Sequence, residues 1–490
     1  MLRTATGHVA NLLNEGAPVL RLPQEIITRI LYLSTDHGSE EHTKQVISLT
    51  HICRYWRTLL LSYPRMWSTL CMKPGNPRLI SEWLVRSQNI PLTVIAEFFD
   101  AYKHPPCSYE DTATATLARP YEFEVCPRHA AVLSLDQLLP HRSRIHDLNI
   151  LFHSSDPAWE YHEGEPELLY HQFFKETLPN LQRLDFRAAH FKEDRFVIPI
   201  PDSLFARELP RLKELKYLGV TGGLTESAKN LTSCKIGYWS GSAGHTNISL
   251  RELQTLFNNN KTVKSLTITE CELFSYRNSE VLTATPMRDL KTLKIRRLVE
   301  DDLNTILNCI HAPQFKSLDT IRLSLSYHTV QVVATDRSDH TFEFSQFISG
   351  KPKFYPLQYL GADITTLHLD RGMTLQELDW TPGLYDFFQS LDAVQVLEFD
   401  GAVASVRSVL SNILSRTGVF PGLKVIRVAI SRDDCETSLP LLATALKQRV
   451  EEGNPLTAIE PLFAEGEDRL GRVEWEKHCK ASGMQNLLSG

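Results

Sequence analysis

One short pattern recurs along most of the chain and constrains its fold more than any other feature. An apolar residue is followed by two residues, a second apolar residue, one residue and a third apolar residue, and ten such copies lie between residues 145 and 428. The copies are Ile145-Leu148-Ile150, Leu181-Leu184-Phe186, Leu212-Leu215-Tyr217, Leu231-Cys234-Ile236, Val263-Leu266-Ile268, Leu290-Leu293-Ile295, Leu318-Ile321-Leu323, Ile364-Leu367-Leu369, Val394-Leu397-Phe399 and Leu423-Ile426-Val428.

Each copy predicts a strand, because its last two apolar positions alternate with polar residues as in a half-buried strand. Between copies the apolar residues have helical spacing, as in Leu250-Leu253-Leu256-Phe257, Leu303-Ile306-Leu307-Ile310 and Val406-Val409-Leu410-Ile413-Leu414. One strand and one helix per repeat predict an irregular α/β solenoid over residues 145–432, with strands on the concave side and helices on the convex side. An ordinary α/β domain with a parallel sheet would give the same alternation and remains the alternative.

The longest gap between copies, from Leu318 to Ile364, holds two strand-like runs, Thr329–Ala334 and Thr341–Phe344, which predict an inserted hairpin. The repeats resemble leucine-rich repeats in their degenerate, variable-length form. The asparagine or cysteine that this family carries after the strand is mostly absent here. The resemblance therefore implies a leucine-rich-repeat-like solenoid without the usual asparagine ladder.

Composition excludes several classes of protein. Hydrophobic residues make up 42% and charged residues 22% of the 490 residues, a mixture typical of globular proteins. A net charge of −6 argues against nucleic acid as a partner. No apolar run is long enough to cross a bilayer, so we expect no membrane association. The N-terminus has no secretory h-region, and we expect a cytoplasmic and/or nuclear protein.

Cysteines and motifs give no sign of a metal, a cofactor or catalysis. The nine cysteines are scattered without a CxxC pair, and the spacing closest to a ligand pair, Cys126 and His129, has no second pair beside it. The sequence contains no P-loop, dinucleotide-binding, zinc-protease or nucleophile-elbow motif. His37 and His42 are expected in a solvated loop. A non-enzymatic binding role is favoured, with a hydrolase on an α/β sheet as an alternative.

Residues 20–70 have a different periodicity, which predicts three short helices. The first helix follows Pro23, a residue suited to a helical first turn. A polar loop, 34–45, then separates it from the second helix, and the third ends near Pro64. The apolar positions of the three helices are, in order, Ile26, Ile27, Ile30, Leu31 and Leu33; Val46, Ile47, Leu49, Ile52 and Cys53; and Trp56, Leu59, Leu60 and Trp67.

These residues resemble an F-box. The matching segments are Leu22-Pro23-x-Glu25-Ile26-Ile27-x-x-Ile30-Leu31, Leu49-x-x-Ile52-Cys53-Arg54-x-Trp56-Arg57 and Pro64-x-x-Trp67. The polar insert, and Trp83-Leu84-x-Arg86-Ser87 with Pro91-Leu92, are similar to F-box proteins of mushroom-forming fungi. The family is a three-helix module that docks on the Skp adaptor of SCF-type cullin ubiquitin ligases.

The resemblance implies a set of adaptor-binding residues: Leu22, Pro23, Ile26, Ile30, Leu49, Ile52, Cys53, Trp56, Leu60 and Trp67. Apolar residues at helical spacing also form the core of a small module, and the sequence does not separate the two uses. We expect Ile30, Leu49 and Trp56 to hold the helices together. Leu22, Pro23, Ile26, Ile52 and Leu60 are the candidates for an outward surface, since exposed apolar patches mark interfaces.

The polar positions inside the repeats are candidates for client binding. The central positions are Asn149, Asp185, Lys216, Lys235, Thr267, Lys294, Arg322, His368, Glu398 and Arg427. Together with their neighbours they predict a face that is basic in the middle repeats and acidic near Asp370 and Asp400. The basic candidates, suited to an acidic or phosphorylated client, are Arg183, Arg187, Lys216, Lys235, Lys294, Arg296 and Arg322. The alternative is that these side chains are simply solvated.

The predicted organisation is an N-terminal tail (1–19), the F-box-like module (20–70), a connector (71–144), the solenoid (145–432) and a C-terminal helix and tail (433–490). The connector holds strand-like segments at Leu92–Phe98 and Tyr121–Val125, and Leu439–Val450 predicts a helix suited to capping the repeats. The whole predicts a non-catalytic substrate-recognition subunit of an SCF-type ligase, which binds the Skp adaptor, through it a cullin, and a client protein. The alternative is an interaction scaffold that does not deliver ubiquitin.

Overall fold

The fold is taken from a computed structural model, which describes residues 17–37, 41–72, 77–99, 127–154, 169, 171–190, 198–201, 204–221, 228–237, 246–274, 283–298, 300–326, 329–347, 363–369, 387–400, 419–429 and 457–462, with single positions between 444 and 480. The chain forms two compact units. Unit 1 comprises Met1–Leu231 with Ile236–Ile248, and unit 2 comprises Thr232–Lys235 with Ser249–Gly490.

Unit 1 begins with three helices, as the sequence predicts: α1 (Gln24–Leu33), α2 (Glu41–Thr50) and α3 (Arg54–Leu61), with 3-10 turns at Pro18–Arg21 and Pro64–Trp67. Pro23 precedes α1 in an extended conformation, which its ring favours. Cys53 caps α3, its sulfur accepting the N–H of Trp56 at 3.5 Å. The predicted end of the loop 34–45 is wrong, because α2 already begins at Glu41.

The rest of unit 1 builds a parallel sheet. Helices α4 (Pro77–Arg86), α5 (Pro127–Leu138) and α6 (Gln172–Lys175) and 3-10 turns at Leu139–Arg144 and Leu204–Arg207 connect its strands. The strands are β1 (Thr69–Met72), β2 (Leu92–Phe99), β3 (Ile145–Ser154), β4 (Arg183–His190), β5 (Ile198–Pro199), β6 (Glu214–Leu218) and β7 (Val220–Thr221). The residues of β8 (Ser233–Gly237) and β9 (Thr246–Ser249) are divided between the two units. Strands β1, β2, β3, β4 and β6 pair in that order, all parallel, and β5 pairs separately with β7.

Unit 2 repeats the same construction with α7 (Leu250–Asn259), α8 (Glu300–Cys309) and a 3-10 turn at Pro313–Ser317. Its strands are β10 (Ser265–Thr269), β11 (Cys271–Phe274), β12 (Thr285–Pro286), β13 (Thr292–Arg296), β14 (Ile310–His311), β15 (Thr320–Ser326), β16 (Thr329–Thr335), β17 (Thr341–Phe347), β18 (Thr366–Leu369), β19 (Val396–Asp400), β20 (Val425–Ala429) and β21 (Ala458–Leu462). The order in the sheet is β10-β13-β17-β16-β15-β18-β19-β20-β21.

The predicted hairpin is confirmed, and it lies inside the sheet. Strand β16 pairs antiparallel with both β15 and β17. Strand β17 then pairs parallel with β13, and β15 pairs parallel with β18. The insert therefore separates two runs of parallel strands that belong to consecutive repeats.

All ten copies of the sequence pattern are strands, which confirms the mixed α/β class with mainly parallel pairing. Several repeats also share a backbone hydrogen-bonding pattern. In this pattern one carbonyl accepts two successive N–H groups from the start of the next strand. The carbonyl of Gln395 accepts from Lys424 and Val425 at 2.8 and 2.9 Å, and that of Lys424 accepts from Thr457 and Ala458 at 2.8 and 3.2 Å. The same double acceptance occurs at the starts of several other strands, among them β6, where the carbonyl of Gln182 accepts from Lys213 and Glu214 at 2.8 and 3.0 Å.

The apolar positions of each strand form the core. In unit 1 a column of rings runs across neighbouring strands, with centroid separations of 5.1 Å from Phe98 to Phe152, 5.4 Å from Phe152 to Phe186 and 6.4 Å from Phe186 to Tyr217. In unit 2 the predicted helix over 250–257 is confirmed, and a capping box between Ser249 and Glu252 starts it. The predicted strand Tyr121–Val125, the helix at Val406–Leu414 and most of Leu439–Val450 lie outside the described residues.

Candidate functional site

The N-terminal helices pack around a small apolar core. Its buried side chains are Ile27, Leu31, Val46, Leu59, Leu60, Met66 and Trp67. The indole N–H of Trp67 donates to the carbonyl of Leu60 at 2.8 Å, which ties the turn after α3 back onto that helix. One face of each helix therefore packs inward, and the side chains on the opposite faces form the solvent-exposed surface of the module.

The outer surface of this module is unusually apolar. Of the twelve large apolar side chains that are exposed in the described part of the chain, nine lie between residues 19 and 61: Val19, Leu22, Ile26, Ile30, Leu33, Ile47, Ile52, Tyr55 and Leu61. Ile26, Ile30 and Leu33 lie on one face of α1 with Leu22 just before it, and we call these four residues the apolar stripe. Exposed apolar residues concentrated in this way mark an interaction surface.

The predicted adaptor-binding residues divide by burial. Leu22, Pro23, Ile26, Ile30 and Ile52 are exposed, Leu49, Cys53 and Trp56 are half-buried, and Leu60 and Trp67 are buried. Two of the expected orientations are wrong. Ile30 is 46% exposed and not in the core, because α1 turns Ile27 and Leu31 inward. Leu60 is fully buried beside Leu59, and its side chain supports the module without reaching its surface.

The expectation that His42 is solvated is also wrong. His42 lies in α2 with no exposed surface, and its Nε2 is 3.2 Å from the carbonyl oxygen of Met66. The ring of His37 is 4.7 Å away and is itself stacked on Tyr32 at 3.8 Å. Burial, with a smaller contribution from the charge of His37, lowers the pKa of His42 to about 4. His42 is therefore a neutral core residue at physiological pH.

The second candidate surface is the row of central strand positions, which we call the polar row. Cross-strand pairing aligns its members, with Asp185 beside Lys216 in unit 1. In unit 2 Lys294 lies beside Glu343, and His368, Glu398 and Arg427 are successive neighbours. The sequence pattern thus predicts correctly which residues lie beside each other on neighbouring strands, since parallel strands in register bring equivalent residues together.

Carboxylates neutralise most of the basic candidates. Arg183 pairs with Asp147, and Asp185 pairs with Arg187 through a 2.6 Å bond and with Lys216 at 3.2 Å. In unit 2 the 6%-exposed carboxylate of Glu343 accepts from Lys294 at 2.9 Å and from Arg296 at 2.8 Å. Burial alone would raise the pKa of Glu343, but the hydrogen bonds from Lys294 and Arg296 hold it below its ordinary value.

A second ion-pair chain follows along the same sheet. Glu398 accepts from His368 at 2.9 Å and from Arg427 at 2.6 Å, and Arg427 also binds Glu460 at 2.7 Å. Burial would raise the pKa of Glu398, but the hydrogen bonds from Arg427 and His368 lower it overall. The expected acidic end is wrong for the described strands, because His368 and Arg427 lie beside Glu398 there. The central positions of β6, β8, β10 and β13 are Lys216, Lys235, Thr267 and Lys294, so the middle of the row contains no carboxylate at these positions, as expected. Asp370 lies outside the described residues.

The other two basic candidates lie on β8 and β15. Lys235 is half-buried on β8 and is not free of partners. Arg322 is exposed on β15, where its register partners are Val333 on β16 and His368 on β18, neither of which is a carboxylate.

Sequence reasoning missed the carboxylates that complete the row. Glu343 enters it because the inserted hairpin joins the sheet, and the alternation Phe342-Glu343-Phe344 was the available signal. Glu460 enters it because β21 adds an eleventh copy, in which Pro461 stands where the third apolar residue would be.

Neither surface has the features of a metal site. Within the described residues no group of three or more histidine, cysteine, aspartate or glutamate side chains could hold a metal ion. No helix in that part of the chain combines the length and apolar character needed to cross a membrane.

Comparison with known proteins gives no further assignment. A scan against protein-family models finds no match to the chain, and a search of the curated proteins finds none either.

Proposed function

We propose that the chain is a substrate-recognition subunit of an SCF-type cullin ubiquitin ligase. The N-terminal helices act as an F-box that docks on the Skp adaptor, and a leucine-rich-repeat-like solenoid holds a client protein. The chain performs no chemistry in this role. It places the client beside a charged conjugating enzyme, where the raised effective concentration promotes transfer of ubiquitin.

One observation carries this proposal: the concentration of exposed apolar side chains on the first helices. A helical face such as the apolar stripe leaves a large unfavourable area in water unless a partner covers it. Complete burial of a fully exposed isoleucine contributes about 1.5–3 kcal/mol, so covering a half-exposed isoleucine contributes about half of that. Ile26 and Ile30 are each 46% exposed in the free chain, so both have area left to bury.

The test is co-purification of the intact chain with the Skp adaptor. We expect the intact chain to bind and the double variant Ile26→Glu/Ile30→Glu to lose at least about a hundredfold in affinity, because two anchors are removed and charges are introduced. Val85→Glu is the matched control, since Val85 is a 72%-exposed apolar residue on α4, outside the module. Circular dichroism checks that each variant is folded.

Failure of the folded intact chain to bind the adaptor would contradict the proposal. Equal loss of binding in Val85→Glu would also contradict it, because the effect would not belong to the apolar stripe. If adaptor binding is confirmed, a reconstituted ligase separates the receptor from a scaffold. A receptor supports ubiquitylation of proteins that it captures, and a scaffold does not.

A further inference from the structure

Four exposed cations occupy equivalent positions in two consecutive repeats of unit 2. Lys261 and Lys264 lie just before β10, and Arg288 and Lys291 lie at the same offsets before β13. All four side chains are exposed. We call these residues the basic edge, because they lie where the two strands begin.

The two repeats bring these cations together in space. The carbonyl of Lys264 accepts the N–H of Lys291 at 2.8 Å and that of Thr292 at 2.9 Å. Strands β10 and β13 then continue in parallel register from Ser265 and Thr292. The backbone positions of Lys264 and Lys291 are consequently about one strand spacing, ~4.8 Å, apart.

The basic edge differs from the polar row in its counter-charges. In the polar row, cross-strand carboxylates occupy most of the cations. Within the described residues, no ion pair or side-chain hydrogen bond joins Lys261, Lys264, Arg288 or Lys291 to a carboxylate. The residues at the neighbouring strand starts are neutral. The N–H of Lys264 donates to the carbonyl of Thr232, and the carbonyl of Lys291 accepts the N–H of Thr341, so a threonine lies on each side of the basic edge. Asp289, in the turn between Arg288 and Lys291, is the one exposed carboxylate within these two turns.

We propose that the basic edge binds an acidic peptide segment of a partner protein. An extended peptide places alternate side chains on one side about 6.6–6.8 Å apart, a spacing that flexible lysine side chains on adjacent strands can reach. Describing this partner as a client rests on the proposed function, whereas the binding itself does not.

The charge of the rest of the molecule favours a short peptide over nucleic acid. The chain carries a net charge of −6. At physiological ionic strength a charge acts over only about 8 Å, so a short acidic segment interacts mainly with the basic edge itself. A long polyanion would extend beyond it over a molecule whose net charge is negative.

Fluorescence anisotropy of a fluorescein-labelled decaglutamate peptide tests this with the intact chain. We expect binding that weakens as salt is raised from about 50 to 300 mM, and a loss of about tenfold or more in Lys264→Glu/Lys291→Glu. Lys424→Glu is the matched control and should change affinity less than about twofold. Lys424 occupies the same position before β20, but its neighbours at the adjoining strand starts are the uncharged Gln395 and Thr457.

Three outcomes would overturn the proposal. They are no binding by the folded intact chain, an equal loss in Lys424→Glu, and tighter binding of a single-stranded oligonucleotide of equal charge. Thermal melting checks that both variants are folded, as expected for exposed positions. Adaptor co-purification of Lys264→Glu/Lys291→Glu is measured in parallel and should be unchanged. Failure of peptide binding is thereby distinguished from failure of the ligase proposal.

Discussion

At the scale of single residues, Gly219 shows how closely the repeats approach one another. It follows β6 with a φ of +72°, a conformation that other residues rarely adopt. A Cβ at this position would lie 2.7 Å from the carbonyl oxygen of Ala188 on the neighbouring strand β4. Both the backbone conformation and the available space therefore require glycine.

We predict that Gly219→Ala lowers the free energy of unfolding by about 1–3 kcal/mol, the cost of a strained backbone conformation. Gly422→Ala is the matched control. A Cβ there would be 3.1 Å from the carbonyl oxygen of Asp392, and Gly422 does not have a positive φ. Urea denaturation of both variants measures the difference. Equal destabilisation would contradict the role of the positive φ.

His42 gives a prediction about pH. Its pKa falls from about 6.5 in the unfolded chain to about 4 in the folded one. Between these values the unfolded chain binds a proton that the folded chain does not, so the free energy of unfolding decreases as pH falls from 6.5 to 4. The full effect is about 3 kcal/mol.

The measurement is urea denaturation at several pH values, comparing the intact chain with His42→Gln. We expect the variant to lose this part of the pH dependence, whatever its absolute stability. His51→Gln is the control, because His51 is exposed. A pH dependence in His42→Gln identical to that of the intact chain would contradict the assignment.

The residues of α1 show what sequence alone could not decide. Apolar residues lie on two sides of this helix, Ile27 and Leu31 on one, Ile26 and Ile30 on the other. Helical periodicity places each residue on a face but does not say which of two apolar faces packs inward. The tertiary contacts decide this, and they bury Leu60 and expose Ile30, against expectation.

At the scale of elements, the strands were the most predictable part of the fold. A strand of a parallel sheet needs apolar residues at alternate positions, and this local requirement is visible in all ten copies. Strand order was less predictable, because it depends on contacts between distant segments. The hairpin was expected as an insert, but its position between β13 and β15 was not, and this position puts Glu343 beside Lys294.

Because β13 pairs with β17, Glu343 on β17 forms stabilising ion pairs with Lys294 and Arg296 on β13. We predict that Glu343→Gln lowers the free energy of unfolding by about 1.5–3 kcal/mol, because it replaces charge-assisted bonds and leaves Lys294 and Arg296 without a counter-charge. Glu460→Gln is the control and should cost less than about 1 kcal/mol, since Glu460 is 35% exposed. Urea denaturation at pH 7 compares them.

The contribution of Glu343 also depends on pH. Because its folded pKa is lowered, it stabilises the protein above its ordinary pKa, and this stabilisation is lost as pH falls further. This window lies below that of His42, so the two variants should alter different parts of the pH profile. Equal stability of the two glutamine variants at pH 7 would contradict the importance of the buried position.

At the scale of the whole molecule, the two kinds of exposed surface differ in chemistry. The N-terminal helices carry most of the exposed apolar side chains among the described residues, whereas the repeats expose charged rows. The sequence indicated a binding protein through its repeats. It could not separate paired from unpaired cations, because the counter-charge of each one lies on a different strand.

The end of the strand order has a consequence for self-association. Strand β21 pairs with β20 on one side, and within the described residues no strand pairs with its other side. The N–H of Ala458 points to β20, where it donates to Lys424, so by alternation along the strand the nitrogen of Pro461 points away from β20. Proline has no N–H, and the outer side of β21 lacks a donor that an incoming strand would need. The residue that obscured this repeat in the sequence thus also opposes polymerisation of the protein through its last strand.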